Sequence, residues 1–114
     1  MNRTLLLSFA LAACTEVDER PAQWGYLHAA VIVPSCATAS CHSAEAAIAG
    51  LALDDADDAY AQLLGARYVI PGDAASPLLQ LLRANERDRM PPDAPLPLAD
   101  VELVEAWISG GAPR

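Results

Sequence analysis

The stretch Cys36-Ala37-Thr38-Ala39-Ser40-Cys41-His42 places two thiols and an imidazole within seven residues. No other part of the chain restricts the fold as strongly. Two cysteines closely followed by His form the signal for covalent haem attachment, most familiar with two residues between the cysteines. Here four residues intervene, a widened form of the same signal. Each thiol adds to one vinyl group of the porphyrin, and the adjacent imidazole, His42, becomes an axial iron ligand. A chain committed to that chemistry must enclose a flat apolar group and bring a second ligand from elsewhere.

Other chemistries also suit this cysteine pair. An exported chain favours a local Cys36–Cys41 disulfide, although that bond gives no reason for His42 to follow. Zinc wants four ligands, and two thiols with His28 and His42 would supply them. Length then limits what can be built. The chain has 114 residues, enough for one small domain. Hydrophobic residues make up 54%, but aromatics only 5% and much of the remainder is Ala. Such a core is modest, and a large apolar cofactor would add to it. There are 15 acidic residues against 7 basic ones, and every basic residue is Arg. That balance argues against nucleic acid and against charge-driven docking on anionic lipid.

Residues 1–13 read as an export signal. Arg3 gives a positive start, and Leu5 to Ala13 form an apolar run too short to span a bilayer. Leu11-Ala12-Ala13-Cys14 closes the run and resembles a bacterial lipobox, which makes Cys14 the lipidated residue of a lipoprotein. With Cys14 so used, Cys36 and Cys41 are left as one pair. Residues 14–23 are polar, acidic and contain Pro21, and read as a tether between lipid and domain.

The domain, residues 24–114, shows helical periodicity in several separate stretches. Trp24, Leu27 and Val31, with Tyr26 beside them, mark a first helix that Pro34 is expected to end. His28 lies on this helix and reads as a core or rim histidine, with a haem-contacting or ligating role, in competition with Met90, as the alternative. An acidic run from Asp54 to Asp58 caps a helix over about 56–64, with Tyr60, Leu63 and Leu64 inward and Gly65 as its stop. The run lacks the spaced ligands of a calcium loop. Ser76 and Pro77 open a third helix, as cap and first residue, with Leu78, Leu81 and Leu82 as its stripe. The last helix covers about 98–109, with Leu98, Val101, Val104, Trp107 and Ile108 on one face; Pro97 starts it and Gly110-Gly111 stop it.

Between the third and last helices stands Arg89-Met90-Pro91-Pro92. The prolines stiffen the segment, and a stiff loop presents a thioether with little entropic cost. Met1 falls in the leader, so Met90 is the one thioether of the mature chain. Arg67, Arg83, Arg87 and Arg89 are candidates to pair with haem propionates.

Taken together, Cys36…Cys41-His42, Ile70-Pro71-Gly72-Asp73…Ser76-Pro77-Leu78, Arg89-Met90-Pro91-Pro92 and Val101…Leu103-Val104…Trp107-Ile108…Gly110-Gly111-Ala112 resemble the small monohaem class I c-type cytochrome domains of bacterial lipoproteins. The resemblance runs from Trp24 to Ala112. It implies an all-α fold of about four helices around one covalent haem c, with the first and last helices crossing. It also implies His42 as the proximal iron ligand and Met90 as the distal one. A site closed on both faces implies electron transfer rather than catalysis. The implied protein is exported and lipid-anchored, facing the periplasm or cell surface. Its redox partner is expected to carry a basic docking patch. Two alternatives remain in the sequence: a haem enzyme or sensor domain with an open distal site, and a non-haem binding lipoprotein with a Cys36–Cys41 disulfide.

Overall fold

The computed structural model describes residues 18–114. The expected export signal and lipobox, with Cys14, lie outside the described residues. The elements are α1 (Trp24–Leu27), a π-wound segment (His28–Ile32), α2 (Val33–Ser35), a 3₁₀ turn (Ile48–Gly50), α3 (Ala56–Gly65), α4 (Pro77–Arg83) and α5 (Leu98–Ser109). The first three run on without a break, so the described residues form four helices and no strand. None of these helices is long and apolar enough to cross a membrane.

The first helix does not end at Pro34. It continues to Ser35, with Cys36 as its cap. Val33 N–H donates to the His28 carbonyl, five residues back, so the backbone is already wound wide of the α-ladder where proline enters. The ladder then closes past the proline, Cys36 N–H donating to the Ile32 carbonyl at 2.8 Å.

Three aromatic rings tie this helix to the others. Trp24 stacks on Trp107 of α5 with ring centroids 5.0 Å apart and an interplanar angle of 29°. Tyr60 of α3 meets both rings edge-on, at 5.6 and 6.3 Å. Stacked and edge-to-face pairs each add about 0.5–1.5 kcal/mol beyond the area they bury. Every polar tip in the cluster is matched. Trp24 Nε1–H donates to the Ala56 carbonyl, Trp107 Nε1–H to that of Pro113, and Tyr60 O–H to that of Ala112, each at 2.8 Å. Trp107 is thus a core anchor against the first helix. Leu27, Val31, Val104 and Ile108 fill the space beside it.

Local details depart from expectation in four places. Asp55 caps α3 as its position suggests, its Oδ1 accepting from Asp57 and Asp58 N–H at 2.9 Å. Gly65, however, belongs to α3, and the left-handed residue after the helix is Arg67, at φ +59°. Ser76 stands at the cap position of α4 but its hydroxyl does not cap. It is fully buried and donates to the Asp73 carbonyl at 2.7 Å while accepting from Ile70 N–H at 3.0 Å. The hydroxyl therefore holds the Pro71-Gly72 turn against α4. On α4 the buried residues are Leu79 and Leu82, whereas Leu78 and Leu81 are half-buried. Leu98 is 70% exposed, because it occupies the first turn of α5, ahead of the face that packs inward from Val101 onward.

Beyond the leader-side boundary, Arg20 reaches α5, its Nη1 lying 2.6 Å from Asp100 Oδ1.

Candidate functional site

The first helix delivers Cys36 at its C-terminus, and the chain then turns sharply. Cys41 N–H donates to the Thr38 carbonyl at 3.0 Å, which closes a tight turn. His42 N–H donates to the Cys36 carbonyl, also at 3.0 Å. A bond closing over six residues here replaces the four-residue closure of a helical turn. The extra length is extruded: Thr38, Ala39 and Ser40 are exposed, while Cys36, Cys41 and His42 are half-buried. Ser43 anchors the bulge from below, its buried hydroxyl donating to the Ala39 carbonyl at 3.2 Å. The widened spacer is thus taken up as a surface loop, and the two cysteines and His42 stay together at its base.

His42 is oriented by one bond. Its Nδ1 lies 2.9 Å from the Ile48 carbonyl, and a carbonyl only accepts, so Nδ1 carries the proton. Nε2 is then the nitrogen with the free lone pair. An imidazole held this way is fixed both in tautomer and in ring orientation, as metal-bound histidines are. The Ile48 carbonyl is presented by strained backbone: Ala47 and Ala49, on either side, have φ of +39° and +56°. Left-handed alanines cost of order 1 kcal/mol each, and such strain gathers where a backbone group must be aimed.

The loop after His42 is pinned at two further points. Leu53 N–H donates to the His42 carbonyl at 2.7 Å, and His28 Nε2–H donates to the Leu53 carbonyl at 2.8 Å. Gln62 of α3 grips Ala52 through both amide atoms, each at 2.9 Å. His28 is therefore a buried structural histidine whose Nε2 is occupied and whose ring packs on Trp24 at 5.4 Å. This use of His28 removes the two-Cys, two-His zinc set. Among the described residues no three His, Cys, Asp or Glu side chains converge as a metal site.

Met90 lines the same cleft as His42. Its N–H donates to the Leu81 carbonyl at 3.0 Å, at the end of α4, and its side chain is 39% exposed. Two adjoining hollows, of about 150 and 100 Å³, share Cys36, His42 and Met90 as walls. The first opens past Cys41, Ile48 and the two prolines. The second runs inward beneath Leu51, Leu53, Leu63, Tyr68, Leu78 and Leu81. Leu78 and Leu81, half-buried, line this hollow, and Leu78 also packs against the core.

The thiols are free and are not joined to each other. Burial, with a further contribution from Cys41, pushes the Cys36 thiol up to about 11. It is protonated at neutral pH, an apolar wall of the cleft rather than a thiolate. The propionate candidates divide. Arg83 pairs with Glu105 at 2.6 Å, and Arg89 bonds to the Pro91 and Pro92 carbonyls. Arg67 and Arg87 are exposed. The pinning roles of Gln62 and His28 had no signal in the sequence, because their bonds go to backbone carbonyls and amides.

Two thiols, an imidazole, a thioether in the same cleft and leucine walls form a donor set that fits haem c. Residues 39–94, just under half of the chain, match the family Planctomycete cytochrome C. The match starts between the two cysteines and takes in Cys41, His42 and Met90. No curated protein and no solved structure is significantly similar to the chain. Fold and match together support a cytochrome c-like domain, all-α, and the matched family implies covalently bound haem c with its iron.

Proposed function

We propose that this protein is an exported, membrane-tethered electron carrier with one haem c, attached at Cys36 and Cys41 and ligated by His42 and Met90. The observation that carries the reading is the shared cleft: His42 and Met90, far apart in sequence, line the same two hollows with Cys36. When bound, the haem supplies a single reversible electron at its iron, with a potential set by its axial ligands. The chain's own contribution is to hold those ligands. Ile48 fixes the His42 ring through Nδ1–H, and α4 fixes Met90 through the Leu81 carbonyl. A thioether favours ferrous iron and raises the potential. With His42 and Met90 both holding the iron, no position would remain for substrate, which favours outer-sphere transfer over catalysis. The acidic surface suits a partner with a basic docking patch.

The test compares Met90→Ala with His28→Ala in the haem-loaded protein. Met90→Ala should lose the weak far-red sulfur-to-ferric-iron band, lower the potential and let carbon monoxide bind ferrous iron. The drop should be a substantial part of the roughly 0.8 V range that axial ligands command. His28→Ala should do none of these, because its Nε2 is committed to Leu53. A Met90 variant with an unchanged spectrum would remove Met90 from the ligand set.

A further inference from the structure

A thioether is a weak ligand, so one supplied by a loop competes with every motion that carries the loop away. Pro91 and Pro92 have no N–H and cannot secure the segment after Met90 by donating backbone bonds. Upstream, Met90 is held by its own N–H on the Leu81 carbonyl. Downstream, one side chain does the holding. Arg89 Nε–H donates to the Pro91 carbonyl at 3.2 Å and Nη2–H to the Pro92 carbonyl at 3.3 Å. Arg89 is itself fixed, its N–H donating to the Asn85 carbonyl at 2.9 Å. The guanidinium thus reaches forward over Met90 and ties down the two residues that follow it. A planar fork with several donors can bridge two successive carbonyls, whereas an ammonium is a single compact charge.

We propose that Arg89 is the positioning residue for Met90, a clamp that sets how much of the time the thioether remains on the iron. This rests on the reading of Met90 as the distal ligand. An external ligand binds only when Met90 is off, so its apparent affinity rises in proportion to that fraction. Raising the fraction from about 1% to about 10% tightens external binding about tenfold.

The experiment titrates the ferric, haem-loaded protein with imidazole in wild type, Met90→Ala, Arg89→Gln and Arg89→Lys, recording the far-red band before each addition. Arg89→Gln should bind imidazole about tenfold more tightly, with a weakened far-red band. Arg89→Lys should behave like Arg89→Gln, because charge without the fork cannot span both carbonyls. The clamp is overturned if Arg89→Gln matches wild type in both readouts, or if Arg89→Lys restores wild-type behaviour, which would make Arg89 a charge and not a clamp. Met90→Ala separates the two levels. A large effect there with none in Arg89→Gln removes only the clamp, whereas no effect in Met90→Ala removes the distal assignment and the clamp with it.

Discussion

His42 Nδ1 and the Ile48 carbonyl lie 2.9 Å apart, across a loop whose flanking alanines are both left-handed. The bond decides which imidazole nitrogen is free, and the loop that provides it is held from α3 by Gln62.

Gln62 therefore connects helix packing to the aim of His42. Gln62→Leu leaves the Ala52 N–H and carbonyl without their partners, at a cost of about 1–3 kcal/mol. Denaturant unfolding of the haem-loaded protein should show this as a lower midpoint with an unchanged slope. An unchanged midpoint would mean that water replaces the amide without loss.

Covalent attachment is checked by mass. The purified chain should keep one haem after denaturation and acid extraction. Cys36→Ala and Cys41→Ala should each leave a single thioether link and shift the reduced absorption band. A mass equal to the bare polypeptide with an oxidised cysteine pair would favour the disulfide reading.

The extruded bulge makes its own prediction. The His42–Cys36 backbone bond closes above Thr38–Ser40, and those residues are exposed. Replacing Ala39 or Ser40 by Gly should leave haem content and spectrum as in wild type, and cost well under ~1 kcal/mol. Loss of haem from such a variant would show that the bulge itself is recognised during assembly.

The anchor is tested at Cys14, which ends the apolar leader. Cys14→Ser should move the protein from the membrane fraction to the soluble fraction with an unaltered haem spectrum. Continued membrane retention would count against lipidation.

The Trp24–Trp107 stack predicts where stability resides. Both rings are buried, and truncating a buried Trp costs about 3–5 kcal/mol. Trp24→Ala should therefore unfold far more readily, whereas Leu98→Ala, at an exposed position, should change stability by less than about 0.5 kcal/mol. Equal losses at the two positions would contradict the packing described.

Much of this molecule is written in local chemistry. The apolar spacings of Trp24, Leu27 and Val31, and of Val101, Val104, Trp107 and Ile108, mark helices by themselves, because a helical face repeats over every few residues of one segment. Asp55 as a cap and Pro97 as a start are equally local. The fate of Pro34 is not, since it depends on how the preceding turn is wound. Nor is the use of Ser76, whose hydroxyl turns from the helix to a turn brought close by packing. The difference between the two histidines is likewise tertiary. His28 and His42 are the same side chain, each bonded to one backbone carbonyl, but His28 meets Leu53 inside the core and His42 meets Ile48 beside the cleft. The carbonyl that occupies His28, and the hollows that Met90 shares with His42, are set by chain segments distant in sequence. Spacing along one helix cannot encode them, because they exist only once α3 and α4 have closed the loops around the cleft.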